Sequence, residues 1–173
     1  MDIVRQFYHV TSLCKSQIIS AKALIPQVHS PSHEWMWLLD SQYKEKIPTG
    51  LWFCSTLFNG ILPNQSPYGE ERVKIPIENV FSQLGGKVNI YQGKNAFVSG
   101  NTYVRLMLVK EGDNFACLEH MEKLNLKDNV FLKCISESQF QVPKRPIWVE
   151  TFVPYEIDIS EGEWDKVNKL LSM

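Results

Sequence analysis

His9 and Glu150 are the ionisable residues of this chain whose surroundings best suit chemistry. His9 stands near the end of the segment 3–10, which is rich in β-branched and aromatic residues, and Glu150 lies inside the apolar run Ile147–Val153. An ionisable side chain within so apolar a strand must face solvent, find a partner or line a cleft, because burying an unpaired charge is costly. For Glu150 the partner can be a basic residue such as Arg105 or Arg145. For His9 the simpler alternative to a ligand site is a hydrogen-bonded histidine at a strand end.

An aromatic segment that ends in hydroxyl side chains, Gly50-Leu51-Trp52-Phe53-Cys54-Ser55-Thr56, is the second feature that suits a site. Neighbouring side chains of a strand point to opposite faces, so at least one of Trp52 and Phe53 belongs to the core. A site needs one of these aromatic rings, His9 and Glu150 to converge in one cleft.

A metal centre is not expected. His29 and His33 are four residues apart, but Pro31 between them disfavours the shared helical face of a metal-binding pair. The four cysteines are widely spaced without a CxxC pair, which predicts buried free thiols. The sequence also lacks a GxGxxG or GxxxxGK[ST] motif, so two common nucleotide-binding folds have no support.

The elements that must position these residues are mostly strands, followed or preceded by helices rather than alternating with them. Strands are predicted at 3–10, 51–55, 72–77, 87–92, 102–110, 129–135 and 147–153, and helices at about 12–22, 32–46, 113–124 and 161–171. Such segregation predicts an α+β fold, with a mixed, mostly antiparallel sheet and three or four flanking helices. With no linker in the chain, residues 1–173 are expected to form a single compact domain.

The composition excludes several classes of protein. The chain has 173 residues, of which 44% are hydrophobic and 21% charged, as in an ordinary soluble domain. Eighteen basic and nineteen acidic residues leave a formal charge of −1, so we expect no nucleic-acid partner and no anionic membrane surface. The chain shows no signal peptide and no apolar run of roughly 18 residues, so a cytoplasmic location is expected.

Two short motifs resemble those of the ADP-ribosyltransferase-like fold. They are Tyr8-His9-Val10-Thr11 with the helix predicted after it, and Gly50-Leu51-Trp52-Phe53-Cys54-Ser55-Thr56. The resemblance implies a split sheet that binds nicotinamide adenine dinucleotide (NAD) as a substrate, with His9 and Thr11 near the ribose and Trp52 or Phe53 stacked on the nicotinamide. It implies Ser55 as a supporting hydroxyl. Glu150, with His9, would be catalytic and favour the cationic state formed as nicotinamide leaves.

A longer stretch, residues 50–159, resembles the C-terminal domain of the phytanoyl-CoA hydroxylase-interacting proteins. The strongest segments are Gly50–Asn59, Ser66-Pro67-Tyr68-Gly69 and Val73–Phe81. That resemblance implies a non-catalytic module that binds a protein partner. Three functions therefore stay open: a nucleotide- or small-molecule-binding domain that, if catalytic, cleaves NAD, a protein-interaction module, and an unrelated small-molecule enzyme with an aromatic-lined pocket.

Overall fold

A computed structural model describes residues 6–11, 22–26, 38–56, 71–98, 101–124 and 147–166 of the chain. The described strands are β1 Gln6–Thr11, β2 Ala23–Leu24, β3 Leu51–Thr56, β4 Glu71–Pro76, β5 Val88–Gln92, β6 Ala96–Val98, β7 Asn101–Lys110, β8 Glu122–Lys123, β9 Ile147–Val153, β10 Ile157–Asp158 and β11 Glu163–Lys166. Helix α1 spans Ile77–Gln83. Two 3-10 helices, called here the first and the second, span Ser41–Lys46 and Ala116–His120.

Nine of these strands form one mixed sheet. Its order is β11-β4-β1-β3-β9-β7-β5-β8, with β6 paired to β7 beside this path. Strands β7 and β9 run parallel, and the other described pairs of the sheet are antiparallel. Strands β2 and β10 pair separately. The predicted mixed, mostly antiparallel sheet is confirmed.

Both faces of the sheet carry apolar residues. The first face holds Phe7, Phe53 and Leu106, and it packs against α1 through Ile77 and Val80. The second face holds a separate cluster, which comprises Leu38, Leu39, Met107, Val109, Cys117, Leu118 and Phe152. Because both faces are covered, side chains of the central strands lie in the interior whichever way they point.

The predicted strands at 51–55, 72–77, 87–92, 102–110 and 147–153 are confirmed, with bounds that shift by one residue at most. β1 overlaps the predicted strand 3–10 at residues 6–10 and extends one residue beyond it. Pro76 holds the last pairing of β4, opposite Gln6. The predicted strand 129–135, residues 12–21 of the predicted helix 12–22 and residues 32–37 of the predicted helix 32–46 lie outside the described residues. The described end of the helix 32–46 differs from the prediction, because Asp40 is extended and Ser41–Lys46 form a 3-10 helix.

Two predicted helices are wrong. Residues 113–124 form the second 3-10 helix and then β8, because Glu122 and Lys123 pair with β5. Within the predicted helix 161–171, residues 163–166 instead form strand β11, whose Trp164 packs against the first-face core, and residues 167–171 lie outside the described part of the chain. Within the described part of the chain, no helix is long and apolar enough to cross a bilayer.

Candidate functional site

The most chemically distinctive feature is a line of polar residues across the second face, which we call the cross-sheet row. The register aligns Lys74 with Tyr8, Tyr8 with Cys54, Cys54 with Glu150, and Glu150 with Arg105. Residues aligned on neighbouring strands project to the same face. The row therefore brings two cations and a carboxylate onto the face that also carries the apolar second cluster.

Glu150 and Arg105 form a buried ion pair at the inner end of the row. Arg105 Nε lies 3.4 Å from Glu150 Oε1, and each side chain is 3% exposed. The pair joins the parallel strands β7 and β9, where the aligned residues are Arg105 and Glu150 themselves. Of the two basic partners expected for Glu150, Arg105 is confirmed, while Arg145 lies outside the described residues. The opposite charge of Arg105 offsets part of the cost of burying this carboxylate.

Arg72 and Tyr8 form a second buried polar contact on the same face. Arg72 is 5% exposed, and its guanidinium carbon lies 4.3 Å from the centre of the Tyr8 ring. This is the geometry of a cation–π interaction, which is strengthened when the cation is removed from water. Farther out on the row, Lys74 pairs with Glu163 at 3.0 Å in a much more exposed setting.

His9 lies on the first face and makes local contacts. Its Nδ1 is 2.7 Å from the backbone oxygen of Trp52, and its ring centre lies 5.6 Å from that of Phe53. A hydrogen bond from Nδ1–H to the carbonyl leaves Nε2 as the ring's acceptor when the histidine is neutral. The position of His9 therefore fits the simpler alternative, a hydrogen-bonded histidine near a strand end.

Trp52 and Phe53 separate onto the two faces, as strand alternation requires. Phe53 is fully buried in the first-face core. Trp52 packs against Phe152 on the second face, with ring centres 5.1 Å apart. Both rings thus pack against other aromatic side chains of the domain.

The backbone of Thr11 ends β1, and Ser55 in β3 is aligned with Val149. The side chains of Thr11 and Ser55, together with all of His29 and His33, lie outside the described parts of the chain. Among the described residues, no group of three His, Cys, Asp or Glu side chains is placed to hold a metal ion.

The structure does not bring His9 and Glu150 into one cleft. Tyr8 is aligned with Cys54 and Cys54 with Glu150, so these three share the second face, and His9, one residue along, points to the first. Two groups that act on one ribose must nearly touch it, which residues on opposite faces of a packed sheet cannot do. We expected His9, one aromatic ring and Glu150 to line one cleft, and the strand register contradicts this expectation.

The aromatic motif itself has a structural reason. A Cβ atom on Gly50 would lie 2.7 Å from Cε2 of Phe152, a buried ring that also packs on Trp52. Glycine is required there because the ring occupies the space of a side chain. The glycine and the tryptophan of the motif thus pack against the same phenylalanine of β9.

Sequence reasoning missed Arg72 and Tyr8 as partners. Strand 72–77 alternates polar and apolar residues, which indicates a half-exposed strand and hides the burial of Arg72. The alternation of side chains along the strand could have identified them. Val73 and Ile75 belong to the first-face core, which places Arg72 and Lys74 together on the other side.

The comparison with protein families now gives the class. Residues 13–162 match the family described as phytanoyl-CoA hydroxylase-interacting protein C-terminus. The match spans most of the chain and includes every strand of the cross-sheet row after β1. The chain belongs to this family. No solved structure matches it.

Proposed function

We propose that this chain is a non-catalytic protein-interaction domain and that its partner is phytanoyl-CoA hydroxylase. The family match over residues 13–162 carries the proposal, since the family is described by its interaction with that enzyme. The match includes seven of the nine strands of the sheet, all but β1 and β11, and most of the residues of both clusters. The partner named for the family is therefore the first one to test for this chain.

The geometry of the charged residues supports a structural scaffold rather than a reaction centre. Glu150 is 2% exposed and faces Arg105. The His9 side chain forms a hydrogen bond with a backbone carbonyl group. A catalytic carboxylate must touch its substrate, and a substrate would reach Glu150 only if the second-face packing opened. We infer that the row fixes how the central strands align, a use for which buried polar groups are well attested.

Ile25 offers a starting point for locating the partner's contact surface. It is the large hydrophobic side chain that is clearly exposed in the described part of the chain, at 58%, and it follows directly on the short strand β2. A single exposed isoleucine is common in soluble proteins, so it makes a test position rather than an argument. Ile25→Ser removes apolar surface without opening the core.

The binding experiment is a calorimetric titration of this chain with purified phytanoyl-CoA hydroxylase. The proposal expects saturable heat with wild type, and weaker binding of Ile25→Ser if the contact includes β2. Lys44→Ser, an exposed change on the first 3-10 helix, is the matched surface control. No heat of binding at tens of micromolar would overturn the assignment of this partner.

NAD binding and the assignment of the fold as ADP-ribosyltransferase-like stay predictions. A calorimetric titration with NAD tests the first of them. Saturable heat with NAD together with released nicotinamide would favour an enzyme over an interaction domain. If release occurs, the site must lie elsewhere than between His9 and Glu150, because those side chains occupy opposite faces. Glu150→Gln then serves to test whether this buried carboxylate has any part in the reaction.

A further inference from the structure

A compact cluster of titratable side chains joins the two 3-10 helices, away from the cross-sheet row. Tyr43 and Lys46 belong to the first helix, and Glu119 and His120 to the second. The Tyr43 and His120 rings stack with centres 3.8 Å apart and planes inclined by 18°. Lys46 forms an ion pair with Glu119. These contacts are where the two helices meet.

The contact between Lys46 and His120 involves the Nε2 atom of the imidazole ring. Lys46 Nζ lies 3.0 Å from His120 Nε2. An ammonium group carries donors only, so the ring nitrogen must accept, and it accepts only when the imidazole is neutral with its proton on Nδ1. A hydrogen bond from Lys46 to this nitrogen therefore requires the neutral ring, whereas a hydrogen bond from this nitrogen to a carboxylate requires a proton on it.

Glu119 offers His120 a second partner. Its Oε1 lies 3.1 Å from the same His120 Nε2 and also accepts from Lys46. The hydrogen bond and the charge of Lys46, with a smaller contribution from His120, hold the pKa of Glu119 below its ordinary value. Glu119 is thus ionised throughout the range in which imidazole side chains usually change charge, between about pH 5 and 8.

We propose that this cluster is a pH-sensitive joint, in which protonation of His120 exchanges its partner from Lys46 to Glu119 and releases Lys46. Protonated His120 has lost its acceptor at Nε2 and stands as a second cation 3.0 Å from the ammonium group. Both cations then compete for one carboxylate. Lys46 is 40% exposed and His120 24%, so the lysine is the group that can leave for water.

The other charged residues of these elements are exposed. They are Lys44 and Glu45 on the first helix and Glu122 and Lys123 in β8. The stacking contact between Tyr43 and His120 is favourable for the charged imidazole as well as for the neutral one, since a cation over an aromatic face is attracted to it. The stack therefore holds the helices together while the ionic partners exchange, and the exchange is local.

A double-mutant cycle measures the exchange through the sign of one coupling. Lys46→Met, His120→Gln and the double variant are unfolded in urea at pH 8 and at pH 5.5. At pH 8 the wild-type pair should raise the folding equilibrium constant by about two- to fivefold over additivity, the range of partly exposed polar pairs. At pH 5.5 the coupling should reverse, because both members are then cations that share Glu119.

The matched control is the exposed pair Lys94 and Asp40, which lies at 3.2 Å and contains no histidine. The coupling of that pair, measured with Lys94→Met and Asp40→Asn, should keep its sign between the two pH values. A Lys46–His120 coupling that keeps one sign, or that is additive at both pH values, overturns the proposal. Reversal in the control pair as well would overturn it too, since the effect would then belong to the whole domain. The outcome is independent of the proposed binding partner.

Discussion

The buried pair of Arg105 and Glu150 gives the sharpest test of what the charged residues do. At 3.4 Å, the attraction between the two charges is about 5 kcal/mol for an effective dielectric constant of about 20. Moving two ions out of water costs several kcal/mol each, so the pair gains little over an apolar pair of the same volume. Breaking the pair from one side is different, because the remaining charge stays in the interior without this partner.

The perturbation is the series Glu150→Leu, Arg105→Met and the two together, measured by urea unfolding with circular dichroism. Each single change should lower the free energy of unfolding by about 3–5 kcal/mol. The double change should lie within about 2 kcal/mol of wild type, because it removes both charges at once. The resulting coupling of several kcal/mol is at or above the upper end of what contacting pairs show.

Lys74 and Glu163 are the matched control, since they lie on the same row at 3.0 Å but are 35% and 78% exposed. Their coupling should be below about 1 kcal/mol. The reasoning is refuted if the single changes at Arg105 and Glu150 each cost less than about 1 kcal/mol, or if their effects simply add. Either result would mean that water reaches the pair in solution and that the Glu150 carboxylate is accessible to a ligand.

Three further predictions concern packing and ionisation. Gly50→Ala should lower the free energy of unfolding by about 1–3 kcal/mol, because the added methyl group meets the buried ring of Phe152, as urea unfolding would measure. Burial, and a hydrogen bond to Asp113, raise the pKa of Tyr155 from 10.0 to about 12. Folding thus favours the protonated phenol, so its contribution is complete below pH 10 and is lost as the pH rises through 12; Tyr155→Phe should flatten the loss of stability over that window. Burial raises the pKa of the Cys117 thiol to about 11, so a thiol reagent at pH 8 should modify it only on unfolding.

Each of these has a clear contrary result. Gly50→Ala at wild-type stability would show that the ring moves freely. An unchanged alkaline profile in Tyr155→Phe would assign that loss to other groups, and rapid modification of Cys117 in the native protein would show that the second cluster opens.

The strands were predictable from sequence because their signals are local. Segment 147–153 is rich in apolar and β-branched residues and segment 51–55 in apolar and aromatic ones, which favours a strand in both. Helix α1 was not predicted, although Ile77, Val80 and Leu84 recur at helical spacing and Glu78 stands in its first turn, because Ile77 also continues the alternation of the strand before it. Trp164, by contrast, lies in a strand because it packs on a core that distant strands build.

The candidate site could be predicted only in part, because its geometry depends on register. The sequence indicates that Glu150 needs a partner and proposes Arg105 as one, and this holds. It does not indicate that His9 and Glu150 face opposite ways. That follows from the pairing of Tyr8 with Cys54 and of Cys54 with Glu150, and a slip of one residue in either pairing would put His9 and Glu150 on one face.

The most direct test of the proposed interaction is sedimentation velocity of this chain mixed with purified phytanoyl-CoA hydroxylase. The account predicts a complex that sediments faster than either protein and grows with the concentration of the chain. Unchanged sedimentation of both proteins at tens of micromolar would contradict it.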